Sequence, residues 1–191
     1  MFRANAPTHP VNEDNYYYFV FANGLRGNVY GNLGSLNGGY RCLFKDCAVE
    51  SAEHLIVPEG SSCYATFSGC TRLHTAPAVL PRGSYQAMFS NCTSLVNPPQ
   101  LPSTTLSRDC YSGMFQYCSS LVNAPELPAT ELAVGCYSYM FRECDSLTRA
   151  PELPALTLVE DCYDGMFFGS NNLNYIKAMF TTTPGNDYTS S

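Results

Sequence analysis

The sequence predicts an α/β fold, a right-handed repeat solenoid of about six units of 22–26 residues, each with one short strand and one short helix. Three observations predict it. A cassette of cysteine, tyrosine, methionine and phenylalanine recurs at fixed spacing. Apolar residues inside the cassette fall on one face. An Ala-Pro-Glu-Leu-Pro turn, Ala124–Pro128 and Ala150–Pro154, separates the copies that align without gaps.

Three copies align without gaps: Cys110-Tyr111-Ser112-Gly113-Met114-Phe115, Cys136-Tyr137-Ser138-Tyr139-Met140-Phe141 and Cys162-Tyr163-Asp164-Gly165-Met166-Phe167. Looser copies are centred on Phe89, Phe67 and Phe44, so the Phe-to-Phe steps are 23, 22, 26, 26 and 26 residues. In Leu106–Phe115 the apolar positions 106, 110, 111, 114 and 115 mark one face of a helix of two to three turns. Ser120-Leu121-Val122-Asn123-Ala124 reads as a short strand, which Pro125 and Pro128 end because proline donates no ladder hydrogen bond. Such a unit cannot bury its apolar faces alone, but stacked neighbours can.

The ends differ from the repeats. Residues 1–14 read as a polar tail. Residues 15–39 read as an N-terminal β cap, from the aromatic run Tyr16-Tyr17-Tyr18-Phe19-Val20-Phe21 and the hairpin signal Asn23-Gly24. The solenoid proper spans 40–180, with Leu173–Phe180 as a closing strand, and 181–191 read as a frayed tail.

Composition excludes several functions. Hydrophobic residues make up 45% of the 191 and charged residues 14%, against a disordered chain. The formal net charge of -6 disfavours nucleic acid and anionic membrane surfaces as partners. No apolar run reaches the roughly 18–20 residues of a membrane helix, and Met1–Pro7 lacks the order of an export leader.

The unit C-Y-x-x-M-F-x-x-C-x-S-L-x-x-A-P-E-L-P resembles the BspA-like leucine-rich repeats of Bacteroidetes surface proteins, over about residues 40–180. The segment Arg26–Leu36 is similar to that family's entry segment. The resemblance implies a right-handed leucine-rich-repeat solenoid, a cell-surface or secreted location, and cell adhesion or protein binding without catalytic residues or cofactor. Ser170 in place of the last cysteine and Ser84 in place of the one before Tyr85 depart from the pattern.

The ten cysteines admit two readings. Cys47, Cys70, Cys92, Cys118 and Cys144 each follow a phenylalanine by three residues, while Cys110, Cys136 and Cys162 precede one by five. Disulfides Cys110–Cys118 and Cys136–Cys144 would pair these positions. The copies argue instead for a structural ladder of free thiols, because Cys162 persists opposite Ser170 and Cys92 opposite Ser84. Phe67, Phe89, Phe115, Phe141 and Phe167 form the matching aromatic ladder.

Signals for chemistry are weak. There is no C-x-x-C, and His9, His54 and His74 have no ligand spacing, so no metal site is expected. Gly34-Ser35-Leu36-Asn37-Gly38 misses the nucleophile-elbow pattern by one position. Glu126 and Glu152 share a repeat position and read as solvated rim charges that could otherwise attract a cation or a sugar hydroxyl.

Three aromatics are surplus to the core pattern: Tyr117 two positions after a phenylalanine, Tyr139 two before one, and Phe168 one after. Tyr117, Tyr139 and Glu143 form the candidate contact patch, with surface scatter or end capping by Phe168 as the plainer reading. The expected function is a non-enzymatic interaction module binding a protein. The alternative is a carbohydrate-binding accessory protein using Tyr139 with Glu143.

Overall fold

A computed structural model describes residues 26–33 and 40–181. The expected tail 1–14, the aromatic run Tyr16–Phe21, the Asn23-Gly24 hairpin and the tail beyond Thr181 lie outside the described residues. Among the described residues there are six short strands: β1 (Arg26–Asn28), β2 (Gly31–Asn32), β3 (Ala48–Ser51), β4 (Leu55–Ile56), β5 (Arg149–Leu153) and β6 (Tyr175–Ala178). They pair in parallel as β1 with β3, β2 with β4, and β5 with β6. Between these pairs the strand side is reduced to single parallel bridges, such as Ser51 to Thr75 and Thr75 to Asn97.

The expected helix in each unit is absent, so the α/β assignment is overturned: no described residue is α-helical. The segments assigned to it are runs of overlapping turns. Around Phe115 the amides of Ser112, Met114, Gln116 and Cys118 each donate to the carbonyl three residues back, at 3.1–3.2 Å. The intervening amides donate to the next coil: Asp109 to Val134, Tyr111 to Cys136, Gly113 to Ser138, Phe115 to Met140 and Tyr117 to Arg142, at 2.8–3.0 Å. An α-helix directs every amide to its own segment and leaves none for a neighbour. Here half the amides hold coils together.

The period explains the difference. Apolar offsets 0, 4, 5, 8 and 9 fit a repeat of four residues as well as one of 3.6 over so short a window. Every fourth residue takes positive φ: Asp109 (54°), Gly113 (59°) and Tyr117 (62°) in one coil, and Gly135 (63°), Tyr139 (54°) and Glu143 (57°) in the next. Each is the third residue of a turn, the place where a type II turn requires positive φ. Glycine, asparagine and aspartate at these sites carry the turn chemistry.

The proline reading also needs correction. Ser120–Ala124 is not a strand, and in the following unit Pro151 lies within β5. The register slips between Arg149 and Glu152, next to this residue that has no amide to give. Repeated prolines on this side keep the sheet to bridges and pairs. β6 falls inside the expected closing segment.

The core is a set of columns running through the coils. Phe44, Phe67, Phe89, Phe115, Phe141 and Phe167 stack at 5.1–5.8 Å between ring centroids. Tyr85, Tyr111, Tyr137 and Tyr163 stack beside them at 5.7–6.0 Å. All ten cysteines are free thiols. Those following the phenylalanines donate back to the carbonyl of a phenylalanine in an earlier coil: Cys70 to Phe44, Cys92 to Phe67, Cys118 to Phe89 and Cys144 to Phe115, at 2.9–3.2 Å. Ser170 makes the same bond to Phe141 at 2.7 Å. The serine therefore keeps the donor, which a disulfide partner could not be.

Candidate functional site

A residue with positive φ on the turn side points its side chain along the stack. Beneath four such side chains the next coil carries glycine. A Cβ on Gly165 would overlap the Tyr139 ring, and one on Gly169 would overlap the Glu143 carboxylate. The same relation holds for Asp46 over Gly69 and Asp109 over Gly135. Tyr139 and Glu143 are thus seated on a floor of bare backbone.

The fold brings two of the three candidate residues together around Arg142, which the repeat pattern does not single out. The guanidinium carbon lies 5.8 Å from the Tyr117 ring centroid, 5.6 Å from Tyr139 and 5.1 Å from Phe168. Three rings from three successive coils thus surround one cation. Tyr117 and Tyr139 are each 37% exposed and Phe168 50%, so the cluster faces solvent. Arg142 Nε is buried and has no hydrogen-bond partner among the described residues, which leaves the rings as its local compensation. Arg142 comes three residues after Tyr139, at a position that is otherwise lysine, serine, glutamine or phenylalanine, and that exchange is the signal the sequence offers.

The Tyr139 phenol is held above its usual range, chiefly by a hydrogen bond to the Asp164 side chain and then by that carboxylate's charge. Tyr117, Tyr139 and Glu143 all sit in left-handed backbone, each at a cost of order 1 kcal/mol for a residue with a Cβ. Tyrosine is a poor choice for such turns, and two of them meet at one cluster.

The other candidates disperse. Glu152 does not stack with Glu126 as an unrelieved charge pair, because Lys177 reaches Glu152 at 2.7 Å. Among the described residues no group of three His, Cys, Asp or Glu is placed to hold a metal. Nor is any helix among them long and apolar enough to cross a membrane.

Gly165→Ala is expected to cost about 1 kcal/mol in urea denaturation, because it adds a Cβ at φ +52°. It should also displace Tyr139, lowering the phenol titration toward that of free tyrosine. A wild-type titration in the variant would show that the ring does not rest on this glycine.

No protein-family model matches the chain, and no curated protein matches it. Among solved structures, the crystal structure of a leucine-rich repeat protein from T. pallidum is similar, with 24% sequence identity and a TM-score of 0.44. The match covers 72% of this chain and 60% of that one, so it spans less than two thirds of that protein's length. The solenoid assignment rests on the chain's own hydrogen-bond ladders.

Proposed function

We propose that this chain is a non-enzymatic interaction module of the leucine-rich-repeat kind, displayed at a cell surface, that binds a protein partner through Tyr117, Tyr139 and Phe168 around Arg142. The observation that carries this reading is the convergence of three solvent-facing rings on one guanidinium. Tyrosine and arginine are the side chains most often found as interface anchors. The stacked columns beneath hold the cluster, so little order has to be gained on binding. Glu143 lies beside it and supplies a rim charge.

A carbohydrate partner is the second reading, favoured by one feature. The Tyr139 ring lies on Gly165, whose bare backbone leaves part of the ring open to solvent, which suits a flat sugar face. The whole chain on a glycan array, and on a surface panel of purified extracellular-matrix proteins, separates the two readings. Tyr117→Gly/Tyr139→Gly is expected to weaken the matrix-protein signal at least tenfold, since loss of an anchor residue costs more than about 1.4 kcal/mol. Its stability should stay within about 1 kcal/mol of wild type, because relief of left-handed strain offsets lost packing. Undiminished binding by this stable variant would end the proposal. Signal on glycans alone would move it to the second reading.

A further inference from the structure

The C-terminal end of the solenoid exposes the same surface that each coil presents to the next. Between the last two coils, the amides of Gly135, Tyr137, Tyr139, Phe141 and Glu143 donate to Glu160, Cys162, Asp164, Met166 and Phe168, at 2.8–3.1 Å. The equivalent amides of the last coil belong to Asp161, Tyr163, Gly165, Phe167 and Gly169. None of these five has an acceptor among the described residues. The aromatic columns end there too: Phe167 and Tyr163 each have a ring neighbour on one side and are half-buried, where Phe141 and Tyr137 are buried. On the strand side β6 is exposed at all four residues, Tyr175 and Ile176 among them.

We infer that this face is a docking surface for one more coil of the same repeat type. The interface is already built several times within the molecule. In four of these interfaces the incoming coil offers carbonyls at alternate residues, a tyrosine ring (Tyr85, Tyr111, Tyr137 or Tyr163) and, four residues on, a phenylalanine ring. The terminal face has the complementary half: five amides at alternate residues and two uncovered rings. Hydrogen-bond polarity excludes the simplest alternative. Two such faces meeting about a twofold axis would set donors against donors, so the occupant must present acceptors. A generic apolar patch would carry no such polarity, and an exposed ladder edge is a template for pairing.

The probe is a synthetic peptide spanning residues 106–121, kept reduced. In this chain its carbonyls at Cys110, Ser112, Met114 and Gln116 accept from Tyr85, Ala87, Phe89 and Asn91. Amide exchange in the full chain, read by NMR, should slow about tenfold or more at Tyr163, Gly165, Phe167 and Gly169 when the peptide is added. Met166, whose amide is already bonded to Tyr163, should not change. A peptide with Tyr111→Ala and Phe115→Ala should give no slowing. Unchanged rates at saturating peptide would overturn the inference, as would equal slowing by the alanine peptide. So would protection of the four amides in the dilute chain alone.

Discussion

Phe115→Ala is expected to lower the stability of the chain by about 3–5 kcal/mol, the range for removing a fully buried aromatic. Phe115 is wholly buried, and its ring lies 5.7 Å from Phe89 and 5.6 Å from Phe141, nearly parallel to both. The change opens a cavity and removes two stacking contacts at once, each worth about 0.5–1.5 kcal/mol beyond area burial. The position matters as much as the residue. In a stack whose units touch only their neighbours, stability is close to a sum of unit and interface terms. Phe167, in the last coil, is half-buried and, among the described residues, stacks only on Phe141. Phe167→Ala should therefore cost less than half as much. Equilibrium urea denaturation of both variants, with slopes compared, tests this. Equal losses would mean that the coils do not contribute as neighbours, and a changed slope for Phe115→Ala would report separate unfolding of the two halves.

Much of this architecture is legible in the sequence. The columns are, because each coil repeats the same apolar residue at the same place. Cys118 and Ser170 are informative for the same reason: a donor survives the exchange where a disulfide would not. The turns are not legible as turns. Ten residues do not separate a period of four from one of 3.6, and the distinguishing signal lies in the polar positions. Asp109 and Gly113, and Asp161, Gly165 and Gly169, are spaced by four within their coils, and these residue types tolerate left-handed backbone. Tyr117 and Tyr139 stand out as surplus aromatics, but the reason lies in the fold: they occupy turn sites that disfavour them. Arg142 is invisible as a partner because its three rings come from three coils, and their convergence depends on the inter-coil register. The open donor row of the last coil does not follow from a helical pattern, since a helix would satisfy those amides internally.

The buried thiols make the fold sensitive to alkali. Burial pushes Cys63, Cys70, Cys136 and Cys144 up to about 12 and Cys110 up to about 11, and it holds Cys92 and Cys118 well above the ordinary thiol range. Raised values in the folded state fix the sign. Below about pH 9 the thiols are protonated both folded and unfolded, and their contribution is intact. Above it the unfolded chain releases protons that the folded chain retains, so stability falls as pH rises toward the folded values. Each such thiol costs about 1.4 kcal/mol per pH unit in that window, so these seven together remove about 10 kcal/mol over one unit. That matches the whole stability of a domain, about 5–15 kcal/mol. The chain is therefore expected to unfold cooperatively near pH 10, well before any buried thiol would ionise in place. The buried tyrosines, also raised by burial, add to the effect at higher pH. Circular dichroism against pH gives the midpoint, and Ellman's reagent added below pH 9 should find Cys42 and Cys47, the two half-buried thiols, before the rest. Cys118→Ser/Cys144→Ser, which copies the natural exchange at Ser170, keeps the donor and removes two titrating groups. It should shift the midpoint upward and reduce the slope by about 3 kcal/mol per pH unit. Stability that stays flat to pH 11, or a slope indifferent to the two serines, would show that the thiol columns do not set the alkaline limit.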